Sequence, residues 1–144
     1  MLLIGYKNTT DQTIPALGLI DFGSVYHENS KTNCYGIPTF AGTSTSPRLN
    51  YRGFYHVTAV ITFTGAAAGD VTLQVLENGE AVSGLLGTVT VTTADTEINT
   101  VTLDFYVLVG PGYTTALNNS KSIAIQSSSA ITVTNVTLNI SKEV

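Results

Sequence analysis

Between Arg52 and Glu80 the chain reads RGFYHVTAVITFTGAAAGDVTLQVLENGE, and apolar and polar residues alternate there with a period of two. Successive side chains of a β-strand point to opposite sides, so such a run has one apolar face and one polar face. Tyr55, Val57, Ala59, Ile61 and Phe63 share the first, while His56, Thr58, Thr62 and Thr64 share the second. The β-branched and aromatic content favours a pleated, half-buried surface over a helix. Val71, Leu73 and Val75 repeat the pattern, and Asn78-Gly79 supplies the positive φ angles of a tight hairpin turn.

The flanking sequence is shorter in period. Residues 1–13 join an apolar start, Leu2-Leu3-Ile4, to the polar run KNTTDQT, which suits an arm or an edge strand ahead of a domain spanning residues 14–144. Ile14 to Phe22 reads as a short strand broken by Pro15 and Gly18, and proline places it at an edge. Residues 23–50 alternate little, with Val25-Tyr26 and Tyr35-Gly36-Ile37 as candidate hidden strands. Gly84-Leu85-Leu86-Gly87 reads as a bend before a short strand over Thr88–Thr92. Asn99 to Val109 is a second long strand with Val101, Leu103, Phe105, Val107 and Val109 on one face. Its other face starts polar and ends apolar at Tyr106 and Leu108. A strand apolar on both sides is buried on both, here by a loop or a second subunit. Val60 is a similar exception on the polar side of the first long strand.

Ser122 to Gln126 gives another strand. In the last one Ile131 and Val133 have one parity, and Val136, Leu138 and Ile140 the other. One extra residue near Thr134-Asn135, a β-bulge, would return all five to one face. No amphipathic helical pattern of three turns occurs. The expected architecture is all-β: a single-domain antiparallel β-sandwich of about eight strands.

Composition limits the partners. At 144 residues the chain is one domain, able to bury roughly 70% of its unfolded surface. Only 11% of residues are charged, against a usual ~25%, and Thr, Ser and Asn take their place on the surface. Such a surface suits a chain that stays folded outside a cell or inside an assembly. A net charge of -4 and only two arginines argue against duplex nucleic acid or an anionic membrane as partner. Cys34 is alone, so no intrachain disulfide forms. MLLIGYKNTT lacks the basic region and apolar length of a signal peptide. No apolar run approaches the ~20 residues of a membrane helix, so a soluble chain without membrane insertion is expected.

Chemistry finds no anchor. His27, Glu28, Cys34 and His56 match no zinc spacing. Glu77 and Glu80 flank the hairpin turn, where neither carboxyl has the burial that acid catalysis needs. There is no Gly-x-Ser-x-Gly elbow and no phosphate-cradling loop before a helix. No catalytic residue, metal or cofactor is expected. His56 alternates with core residues, placing it on the solvent face or at an interface. Tyr26, Tyr35, Tyr51 and Tyr113 lie in loop-like segments, where aromatics either cap the ends of a core or contact partners and sugars.

The run YRGFYHVTAVITF…DVTLQVLENGEAV (Tyr51–Val82) resembles the TNF/C1q-type jelly roll, in which a Gly-aromatic-aromatic strand start precedes a strand ending in Asn-Gly. ITVTNVTLNISKEV looks like the last strand of that fold, whereas FYVLVGPGY departs from the C1q pattern and leaves the later strand order open. With its IPALGLIDFGSV opening, the chain is similar to small virion proteins of tailed phages and prophages of gut-dwelling bacteria. The resemblance implies a homotrimer, with Val60, Tyr106 and Leu108 as the expected interface. It also implies a non-enzymatic capsid decoration or head fibre, assembled in the host cytoplasm and carried on the virion exterior against capsid or other virion proteins. The alternative is a receptor- or carbohydrate-binding module of a tail tip or baseplate, meeting a cell-surface glycan through Tyr26, Tyr35 and Tyr113.

Overall fold

The computed structural model describes residues 1–32, 36–110 and 120–143. In chain order its strands are β1 (Leu2–Asn8), β2 (Gln12–Ile14), β3 (Ser24–Asn29), β4 (Phe40–Gly42), β5 (Pro47–Leu49), β6 (Gly53–Gly65), β7 (Gly69–Glu77), β8 (Glu80–Val91), β9 (Asn99–Val109), β10 (Lys121–Ser127) and β11 (Ile131–Lys142). No helix occurs among the described residues. Among the described residues eleven strands replace the eight or so expected, and the surplus is short: β2, β4 and β5 have three residues each.

The strands form two antiparallel sheets. One is ordered β3-β1-β11-β6-β9, with β2 also pairing β11, and the other β4-β5-β10-β7-β8. From β5 onward the chain crosses to the opposite sheet at every connection but the β7–β8 hairpin, which settles the later strand order. The result is an antiparallel β-sandwich of jelly-roll type.

Period-two patterning places the core. Tyr55, Val57, Ala59, Ile61 and Phe63 of β6 are all fully buried, as are Val133, Val136 and Leu138 of β11 and Leu73 and Val75 of β7. Each such Val, Leu, Ile or Phe side chain contributes about 1.5–3 kcal/mol on leaving water. The bulge expected in the last strand lies between Val133 and Asn135, where the register against β6 shifts. Asn78 and Gly79 adopt φ of 52° and 81° in the β7–β8 turn, as the Asn-Gly pair predicted.

Three expectations are corrected. Residues 1–13 are neither an arm nor a simple edge. β1 lies between β3 and β11 with Ile4 and Tyr6 buried, and only short β2 remains peripheral. Ile14–Phe22 is not a strand. After Pro15 the chain turns through Leu17 (φ 64°) and runs beside β10, with Ile20 N donating to Ile125 O at 3.0 Å. Ile20 and Phe22 are buried all the same, closing the core between the sheets. Gly84–Gly87 is no break either, because β8 continues through it as a wide bulge. One residue of β7 lies between the pairs Gln74↔Leu86 and Leu76↔Ala81, against four of β8. The Gln74 side-chain amide donates to Val82 O (2.8 Å) and Leu85 O (3.0 Å), serving carbonyls that the bulge takes out of the ladder.

Candidate functional site

The outer face of the first sheet is polar at one end of the β6–β9 ladder and apolar at the other. Register sets Thr62 opposite Thr100, Thr58 opposite Asp104, His56 opposite Tyr106 and Phe54 opposite Leu108. Thr62 and Thr100 hydroxyls bond each other at 3.2 Å. At the far end Phe54, Tyr106 and Leu108 are 47%, 62% and 49% exposed. Three neighbouring large apolar residues left in water form a contiguous patch of the kind that marks an interaction surface.

His56 sits inside this patch. Its ring stacks on Tyr106 with centroids 4.8 Å apart and planes 17° from parallel. Nε2 meets Asp104 Oδ1, and Nδ1 lies 3.7 Å from Glu143 Oε1. Asp104 Oδ1 also accepts from Thr58 Oγ1 at 3.2 Å, and Glu143 Oε1 from Ser141 Oγ at 3.0 Å. Glu143 is held there by its own backbone, whose N–H donates to Phe54 O at 2.8 Å. Beneath the patch, the phenol of buried Tyr55 donates to Tyr51 O at 2.6 Å, and burial pushes its pKa far above the ordinary phenol value.

Two recesses border the patch. A groove of about 180 Å³ crosses β3, β1, β11 and β6, lined by His27, His56, Thr58, Asn139 and Ser141 among others. Gly5 makes it possible. A Cβ on Gly5 would lie 2.4 Å from the His27 ring and 2.7 Å from that of Tyr26, so a side chain there would evict both. Tyr26, 44% exposed, donates to Asn139 Oδ1 at 2.7 Å. The second recess, also about 180 Å³, opens between β8 and β9, walled by Val75, Leu85, Leu86, Leu103 and Phe105.

The expected interface residues separate. Tyr106 and Leu108 are together, but Val60 pairs with Thr102, four residues along β6 from His56 and about 13 Å away. Phe54 takes its place. It shares the parity of His56 and begins the alternating run, which is the sequence signal that marks it. Tyr26 lies in β3 and not in a loop, whereas Tyr35 and Tyr113 fall outside the described residues, as does Cys34. His27 and His56 border the same groove, while Glu28 accepts a hydrogen bond from Ser30 at 2.7 Å. Glu77 and Glu80 pair across the hairpin, and Lys121 Nζ sits 3.4 Å from Glu77.

Solved structures place the fold. The Eiger TNF of S. frugiperda superposes with a TM-score of 0.66 at 8% identity, covering 100% of this chain and 94% of that one. The vertex protein P5 of PRD1 gives 0.56 at 13% identity, with 98% and 96% covered. Rabbit GITRL gives 0.51 at 12%, with 100% and 95% covered. No protein-family profile and no curated protein matches the sequence. The chain has the TNF-like jelly-roll fold, in agreement with the resemblance of the Tyr51–Val82 run.

Proposed function

We propose that this chain is a non-enzymatic structural protein of a phage virion, a homotrimeric jelly roll that decorates the capsid exterior as a head decoration or fibre. The observation that carries the oligomer is the exposed patch of Phe54, Tyr106 and Leu108 on and beside β9, the last strand in its sheet among the described residues. Around that edge lies the second apolar feature, the recess walled by Leu85 and Leu86. Between copies the two make a heterologous contact, which closes into a ring when the rotation permits. The likeness to the vertex protein P5 of PRD1 supports the virion setting. A threonine-rich surface with few charges suits a shell that attaches to a particle.

Antibody labelling of purified particles from a culture producing the protein tests this. Label on the particle exterior is expected; a chain that stays wholly in the particle-free fraction contradicts it. A receptor- or carbohydrate-binding module is the second reading, favoured by exposed Tyr26 and its hydrogen bond to Asn139, a residue that lines the neighbouring groove. Sugar binding on a glycan array that Tyr26→Ala abolishes would select it instead.

A further inference from the structure

We infer that the His56–Asp104–Glu143 cluster makes self-association proton-linked: the assembly takes up a proton at each His56 and tightens as the pH falls. This rests on the homotrimer reading, since it concerns the surface which that reading buries.

A neutral imidazole has one donor and one acceptor, whereas imidazolium has two donors. The ring of His56 faces a carboxylate at each nitrogen, Asp104 at Nε2 and Glu143 at Nδ1. Neutral His56 serves one of them and turns a lone pair toward the other. Protonated His56 donates to Asp104, holds its second N–H as an ion pair 3.7 Å from Glu143, and cancels one of the two negative charges. From β9 the ring faces Asp104 and Tyr106, from the end of β11 Ser141 and Glu143, and from β3 His27 at the far side of the shared groove. β1 contributes Leu3 to the groove. Lys142 follows Ser141 but pairs with core-facing Tyr55, so its register directs it to the other side of the strand. No lysine or arginine lines the groove among the described residues.

In a single chain the two carboxylates remain hydrated, with Asp104 61% and Glu143 34% exposed at the side chain. Packing a second copy over Phe54, Tyr106 and Leu108 removes water beside them, and burying an unneutralised carboxylate is costly. A proton on His56 offsets that cost, so the associated state binds more protons than the separate chains. By linkage, association then strengthens as pH falls across the interval in which histidines titrate, roughly pH 8 to 5. One proton per chain, three per trimer, makes the dependence steep.

The test is the dissociation profile of the full chain, by light scattering over a dilution series at pH 8 and pH 5.5, for wild type, His56→Gln and Asp104→Asn. For the wild type, the concentration at which half the trimer dissociates is expected to fall about tenfold or more at the lower pH. His56→Gln is expected to flatten the dependence, and Asp104→Asn to tighten the trimer at pH 8. Far-ultraviolet circular dichroism verifies that the variants are folded. A trimer whose profile is the same at both pH values, or a dependence that His56→Gln leaves intact, overturns the proton linkage and leaves the trimer standing. A monomer at every pH and concentration overturns the trimer itself.

Discussion

The β6–β9 ladder is the same pair of strands from end to end, yet its outer face is finished at one end and unfinished at the other. At the Thr62–Thr100 end, side-chain hydroxyls satisfy one another across the strands. Thr72 and Thr88 do the same on the outer face of the second sheet, at 3.0 Å. These hydroxyl pairs are satisfied within a single chain, although Ile98, just ahead of β9, is also exposed. At the Phe54–Leu108 end, large apolar side chains stand in water around an imidazole and two carboxylates. The inner faces of the two ends are alike: Tyr55, Val57, Ile61 and Phe63 are all fully buried. The fold therefore does not need the apolar end as it stands, and on the proposed trimer reading another copy covers it.

The largest expected effect breaks the comparison at that end. A charge at Tyr106 or Leu108 would be buried without a partner in the assembly, so Tyr106→Asp or Leu108→Asp should leave only monomer at micromolar concentration. Thr62→Asp, on the same face at the finished end, should keep the wild-type mass. Size-exclusion chromatography with mass detection reads all three, and equal behaviour of the two ends would erase the distinction.

A smaller effect lies under the patch. Tyr55→Phe removes the phenol that donates to Tyr51 O and anchors the start of β6. The expected loss is about 1 kcal/mol in chemical denaturation of the monomeric Leu108→Asp background. A loss below ~0.3 kcal/mol would mean that the bond contributes nothing net in this setting.

The smallest effect contrasts the two ends by pH. At the finished end, Glu97 Oε2 accepts from the backbone N–H of Thr92 (2.6 Å) and Thr93 (3.2 Å), which holds its carboxyl below the usual range. A lowered folded value means its stabilisation is complete above the unfolded carboxylate value and is lost as pH falls through the folded one. Thermal melts of wild type and Glu97→Gln should therefore differ at pH 6 and converge on acidification below about pH 4. A constant difference across that interval would remove the carboxylate from the turn's stability. Acid thus loosens one end of the ladder while proton uptake at His56 tightens the other.

How much was legible in the sequence follows from how each element is buried. β6, β9 and β11 have one face in the core and one in water, so their alternation is explicit, and the parity change between Val133 and Val136 even located the bulge. β1 hides because Gly5 interrupts it, leaving only Leu2, Ile4 and Tyr6 to carry its core face. β3 is exposed at every position, so its pattern is faint and only Val25-Tyr26 pointed to it. The β8 bulge looked like a bend because its compensation comes from Gln74 on another strand, a contact that no local pattern encodes. At the site, parity marked Tyr106 and Leu108 as out of place. It also marked Val60, which only the register separates from them. The meeting of His56 with Asp104 and Glu143 spans three strands and is a property of pairing alone.

The central claim is that the apolar end of the ladder is covered by other copies of the same chain. Light scattering of the purified full chain over a dilution series at pH 6 tests it most directly. The expected result is a mass of three chains that persists into the micromolar range and gives way to one chain on further dilution. A mass of one chain at every concentration would contradict the account.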